Sequence, residues 1–169
     1  MSNTLALFWN LAATDREARI DASNELVNAL LQQSSDFGNV DDTTLMESPL
    51  SEQVTDDEVA GAEQRIDDAN TQDVSYAIRR LVRGLASPRE NARIGFAVAL
   101  SGLLTHLKTV SANDVLVLIL KYSVVHGNMN GQEVRDLQFA RLFGIYALVR
   151  SRLLYRGYPV SYTHLRAHE

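Results

Sequence analysis

Apolar residues recur along this chain in blocks at helical spacing, separated by short polar connections. Leu5, Phe8, Trp9 and Leu11 make one brief stripe. In TDREARIDASNELVNALL, Ile20, Val27 and Leu31 make a second, flanked by Ala22, Leu26 and Leu30. Thr14 and Glu17 have the spacing of a capping box, which would start that helix. Further on, Ile78, Leu81, Val82 and Leu85 fall at i, i+3, i+4 and i+7, one face of a helix. The next block has a start signal of its own: Ser87 as N-cap, Pro88 at the first helical position and Glu90 closing a box. Two apolar rows follow, Ile94–Val98–Ser101 and Phe96–Leu100–Leu103–Leu107, so this helix is expected at the centre.

The run Val115–Leu120 has strand composition, but Ser111 as cap and its helical neighbours make it a helix in this reading. A glycine- and asparagine-rich loop, VVHGNMNGQ, leads to a long last helix carrying Val134, Leu137, Phe139, Leu142, Phe143, Ile145, Tyr146 and Val149. Gly95, Gly102 and Gly144 sit inside helices, where each costs roughly 1 kcal/mol relative to Ala. Close approach of neighbouring helices is the expected compensation.

The pattern predicts an all-α fold of antiparallel helix pairs, an α-solenoid of HEAT or armadillo type. The interval from Asp73 to Ser111 is close to the period of such repeats. Two units do not make a stable solenoid alone, so the chain reads as an excerpt of a longer array. Four regions follow: N-terminal helices over 1–33, an acidic flexible loop over 34–72, the continued helical-repeat domain over 73–155, and a non-native tail over 156–169. In the tail, PVSYTHLRAHE has no helical stripe. It reads as a sequence scar, so the spacing of His164 and His168 carries no metal reading.

Charge sharpens the division. From Ser34 to Asp73 there are twelve acidic residues and one basic residue, Arg65, while the remainder carries an excess of +6. The net charge of −5 thus averages an acidic insertion with a mildly basic body. The pairs Asp41–Asp42, Asp56–Asp57 and Asp67–Asp68 invite comparison with metal-dependent polymerases. Metal-ion catalysis needs carboxylates fixed around a shaped, dry cavity, and a solvated acidic run does not supply one. Cysteine is absent, which removes disulfides and thiolate metal sites. The N-terminus lacks a secretory pattern, and no apolar run approaches the ~20 residues needed to span a bilayer. An intracellular chain with no membrane partner is expected.

No phosphate-binding glycine loop, nucleophile elbow or His-Glu-x-x-His helix occurs. His106, late in the central helix, and His126, in a loop, read as structural or surface residues. Glu90 and Asp114 read as capping carboxylates, and Glu133 and Asp136 as acids favoured at a helix start. The reading contains no catalytic residue, cofactor, metal or small-molecule substrate. Chemistry remains only in Arg79, Arg80, Arg83, Arg89 and Arg93, candidate nucleic-acid contacts with Arg79 and Arg83 one turn apart. No aromatic interleaves them in the sequence for base stacking, so a solvated helix face is the competing reading.

Four blocks carry a family resemblance: Leu7 to Ala12, LFWNLA; Tyr76 to Leu85, with YAIRRL and a closing Gly-Leu; Arg93 to Leu100, RIGFAVAL; and Gly131 to Ser151, GQEVRDLQFARLFGIYALVRS. In order and spacing they resemble the N-terminal region of the DNA polymerase phi family, also called DNA polymerase V, which includes the Myb-binding protein 1A proteins of animals. The resemblance implies a long α-solenoid scaffold of the nucleus and nucleolus, not an enzyme, acting in ribosomal RNA gene transcription and ribosome biogenesis. The partners it implies are nucleolar or transcription-related proteins, and ribosomal DNA or pre-ribosomal RNA. A direct DNA-binding module is the alternative, and DNA polymerase activity is not expected despite the name.

Overall fold

The structure, a computed structural model, describes residues 2–33 and 54–155. Among them the regular elements are all helical: α1 Ser2–Asn10, α2 Arg16–Gln33, α3 Asp56–Ala69, α4 Gln72–Gly84, α5 Glu90–His106, α6 Ala112–Lys121 and α7 Gly131–Arg150, then a 3-10 turn at Leu153–Tyr155. The all-α expectation therefore holds over the described residues.

The helices pack in sequence-adjacent pairs, α1 on α2, α4 on α5 and α6 on α7. Across pairs, α5 lies between α2 and α7, while α4 also meets α6. As expected, α5 is central, and its Leu100, Leu103 and Leu104 are fully buried. The α4 face of Ile78, Leu81, Val82 and Leu85 turns wholly into the same core. Each such aliphatic side chain gains about 1.5–3 kcal/mol from burial, and this drives the association of the pairs.

Two glycines let helices approach closely. A Cβ on Gly95 would overlap the Leu11 carbonyl oxygen, and one on Gly144 would sit 2.8 Å from Ile119 Cδ1. Gly102 is less confined, 3.3 Å from Val27.

Four sequence expectations change in detail. The start of α2 is capped by Asp15, whose carboxylate accepts the Ala18 N–H at 2.8 Å. The Thr14 carbonyl is occupied by the Arg19 guanidinium at 2.8 Å. Ile20 is exposed, and the buried α2 stripe is Ala22, Ser23, Leu26, Val27 and Leu30. At α5 the N-cap is Arg89, with no side-chain cap bond. There Ser87 lies too early, and its hydroxyl receives only the Arg89 N–H, at 3.3 Å. Of the two apolar rows expected on α5, Phe96–Leu100–Leu103–Leu107 lies in or against the core, whereas Ile94–Val98–Ser101 breaks up, because Val98 is exposed while Ala97 and Ala99 are buried. The caps of the last two helices are intact: Ser111 accepts from the Asn113 N–H, and Asn130 and Glu133 form a capping box.

The largest departure is α3. Residues 56–69 fall in the stretch expected to be a flexible acidic loop, yet they form a helix started by the Thr55–Glu58 capping box. Val59, Ala62 and Ile66 are buried against α6 and α4. Three carboxylate bonds reinforce the docking: Arg65 to Asp114 at 2.6 Å, Lys121 to Glu63 at 3.0 Å and Arg79 to Asp67 at 2.8 Å. A short apolar stripe plus specific ion pairs thus offsets a composition that argued against order. The remainder of the expected loop, residues 34–53, lies outside the described residues, as does the expected tail from 156.

The long last helix also departs from a simple amphipathic pattern. It buries Asp136, Ala140, Gly144, Ala147 and Leu148, while Leu142, Ile145, Tyr146 and Val149 face solvent.

Candidate functional site

The five arginines of the 79–93 stretch do not form one surface. Arg93, on the first turns of α5, is buried. Its guanidinium donates to the Ser87 carbonyl at 2.7 Å and to Asp136 Oδ1 at 3.1 Å, and lies 4.8 Å from the Phe139 ring centre. Gln132 donates to the same Asp136 oxygen. This charge ties α5, α7 and the 85–89 connection together and is turned inside the fold, where its Nε is buried without a hydrogen-bond partner. The Asp136 carboxylate is likewise a buried partner rather than a free helix-start acid.

The α4 arginines behave differently. Arg79 is ion-paired with Asp67 at the end of α3. Arg80 donates to the Tyr76 hydroxyl at 3.1 Å and lies over the Phe8 ring at 4.9 Å. Its Nε is buried without a hydrogen-bond partner. Arg83 is exposed, 4.6 Å above the Tyr122 ring, and donates to that residue's hydroxyl at 2.9 Å. Arg89 is exposed on the 85–89 connection.

Helix packing brings α4 beside α5, and the seam between them opens into a groove of about 310 Å³ lined by Tyr76, Arg79, Arg80, Arg83, Gly84 and Phe96. The sequence reading missed its aromatic component. Tyr76 could have been found from its i, i+4 spacing to Arg80. Phe96 and Tyr122 reach α4 only through tertiary packing. A guanidinium-lined groove with aromatic walls can hold a phosphate by charge-assisted hydrogen bonds and offer a ring to a base. Its charge is moderated by α3: Asp67 holds Arg79, and Glu63 holds Lys121 and the Tyr122 hydroxyl.

A second depression, about 610 Å³, lies between α2, α5 and α7 and is lined by Asn24, Asn28, His106, Tyr146 and Arg150 among others. It is polar and open. His106 is exposed there, with Nδ1 2.9 Å from the Gly102 carbonyl oxygen. His126 is exposed in the connection before α7.

Of the three acidic pairs, Asp41–Asp42 lies outside the described residues. Asp56 and Asp57 lie in the first turn of α3. Asp67 binds Arg79 and Asp68 accepts from Gln64. Asp114, expected as a cap, is instead the buried partner of Arg65, and its hydrogen bond holds the guanidinium above its ordinary pKa. Among the described residues no three His, Asp or Glu side chains gather as metal ligands would, and no helix is long and apolar enough to cross a membrane.

Residues 76–164 match the family described as DNA polymerase phi, more than half the chain, and the match runs into the segment set aside above as a tail. The chain is 45% identical over 97 residues to the rDNA transcriptional regulator pol5 of Schizosaccharomyces pombe, covering 57% of this chain and 10% of the relative. It is 27% identical over 153 residues to a Myb-binding protein 1A-like protein of Danio rerio, covering 90% of this chain and 9% of the relative. Against Myb-binding protein 1A of Rattus norvegicus the identity is 28% over 148 residues, covering 87% and 8%. The chain thus spans a tenth or less of the length of these relatives. No solved structure matches it significantly.

Proposed function

This chain belongs to the DNA polymerase phi family, and from that membership we propose that it is part of a nuclear, nucleolar scaffold that regulates transcription of ribosomal RNA genes and so ribosome biogenesis. The observation that carries the reading is the 45% identity to a relative named as an rDNA transcriptional regulator. The scaffold works by binding proteins, without catalysis. A HEAT- or armadillo-like solenoid suits that role, and the sequence-adjacent pairs α1–α2, α4–α5 and α6–α7 with α2, α5 and α7 in one row support it. In this reading 1–33 and 73–155 belong to one helical-repeat domain, and α3 is an insertion docked on it. Depletion of the protein in its host should lower pulse-labelled precursor ribosomal RNA before it lowers messenger RNA. Unchanged precursor labelling would refute the role.

A second reading is favoured by the α4–α5 groove: direct contact with ribosomal DNA or precursor RNA through Arg79, Arg80 and Arg83, with Arg89 beside them. Salt titration tests it. Affinity that falls with salt, and falls less steeply when Arg83 becomes Ala, supports phosphate contact. Affinity insensitive to salt and to Arg80→Ala and Arg83→Ala removes it.

A further inference from the structure

Helix α7 has two apolar faces, and the fold uses one. Its buried residues Asp136, Ala140, Gly144, Ala147 and Leu148 point at α5 and α6. At 100° per residue, Leu142, Ile145, Tyr146 and Val149 lie at i, i+3, i+4 and i+7 on the side turned from those neighbours, with Tyr146 at its edge, where it also lines the depression shared with α2 and α5. They are 61%, 50%, 51% and 45% exposed. Elsewhere on the helices, exposed large apolar residues come singly, as Ile20 on α2, Tyr76 on α4 and Val98 on α5, or as the pair Leu5 and Trp9 on α1. Four in register on one helix face make a contiguous stripe of the kind that marks an interaction surface.

The stripe's place in the fold says what shape covers it. In the row α2, α5, α7, helix α5 is flanked on both sides, whereas α7 has α5 on one side and its stripe on the other. A helix laid along the stripe would stand to α7 as α7 stands to α5. Exposed Arg135 and Arg150 lie toward the two ends of α7, so acidic side chains on the incoming helix would complement the rim. The curated relatives are roughly ten times the length of the stretch they share with this chain, so the longer polypeptides contain ample chain to supply such a helix.

We propose that the Leu142–Ile145–Tyr146–Val149 face of α7 seats an amphipathic helix with acidic flanks, supplied in cis by the chain that follows α7 in the longer polypeptide. It would continue the row α2, α5, α7 by one helix. The proposal rests on the helical-repeat reading above.

The absence of native cysteine in the 169 residues allows single-thiol probes. Ile145→Cys reports the stripe, Ala147→Cys the buried face and Asn113→Cys an exposed control on α6. Maleimide labelling, followed peptide by peptide by mass spectrometry, is compared between the 169-residue chain and a polypeptide carrying it with its native continuation. The expected result is that the Ile145→Cys thiol labels as fast as the control in the short chain and about tenfold or more slowly in the long one. Ala147→Cys should be protected in both. Equal labelling of Ile145→Cys in the two polypeptides, with Ala147→Cys protected, overturns the docking proposal and leaves the repeat packing standing. Labelling of Ala147→Cys at the control's rate overturns the packing itself. Protection of Ile145→Cys in the short chain that grows with concentration assigns the face to a second copy and overturns the cis occupant. As a further measurement, Leu142→Gln with Val149→Gln should leave the melting temperature of the short chain unchanged and lower that of the long one.

Discussion

Arg93 and Arg83 have the same side chain in opposite surroundings, one buried and one exposed. The side chains of Arg93 and Asp136 are only 9% and 10% exposed, so removing either leaves a buried charge without its partner. Breaking such a pair costs about 3–5 kcal/mol. Asp136→Ala is therefore expected to lower unfolding stability by that order in urea denaturation, whereas exposed Arg83→Ala should change it by less than about 0.5 kcal/mol. Capping residues divide in the same way. Asn130→Ala should cost roughly 1 kcal/mol, because Asn130 accepts the Gln132 and Glu133 N–H groups. Ser87→Ala should be nearly neutral, since the Ser87 carbonyl, which receives Arg93, survives the change. Sequence spacing made Ser87 look like a cap. The 85–89 connection is held instead by Arg93, whose guanidinium is in turn held by Asp136 of α7, a long-range contact that no local pattern reveals.

At the scale of elements, α4, α6 and α7 were legible in the sequence, since periodicity or a start signal marks each of them. α3 was not. Its buried face is only Val59, Ala62 and Ile66 in an otherwise acidic stretch, and what stabilises it is partnership with Asp114, Lys121 and Arg79 on α4 and α6. The same partnership opposes nucleic-acid binding, because Asp67 occupies Arg79 in the groove wall. Asp67→Asn is expected to raise affinity for a nucleic-acid duplex and to steepen its salt dependence, by a slope change approaching one phosphate contact. Unchanged affinity would mean that Arg79 takes no part. Acid should loosen the start of α3. Hydrogen bonds from the Thr55 backbone and hydroxyl hold the Glu58 carboxyl below its ordinary value. The stabilisation from this depressed group is present above the ordinary carboxylate range and is lost as pH falls through the lowered value. Thr55→Ala should flatten that part of an acid titration followed by circular dichroism.

For the whole molecule, the all-α architecture and the centrality of α5 could be read from periodicity, and family membership from four short blocks. The α4–α5 groove could not, because Phe96 and Tyr122 come to the arginines from other helices. Nor could the two-faced character of α7, since a list of apolar positions does not say which of them find a neighbour. These two features are where a scaffold would meet its surroundings, one basic and aromatic, the other apolar and uncharged. Under the proposed function their activity is binding, exercised at ribosomal RNA genes. Chromatin cross-linking of the tagged protein at its native level tests that claim most directly. The account expects occupancy concentrated on ribosomal RNA genes relative to protein-coding genes of equal transcriptional activity, whereas equal occupancy of the two classes would contradict it.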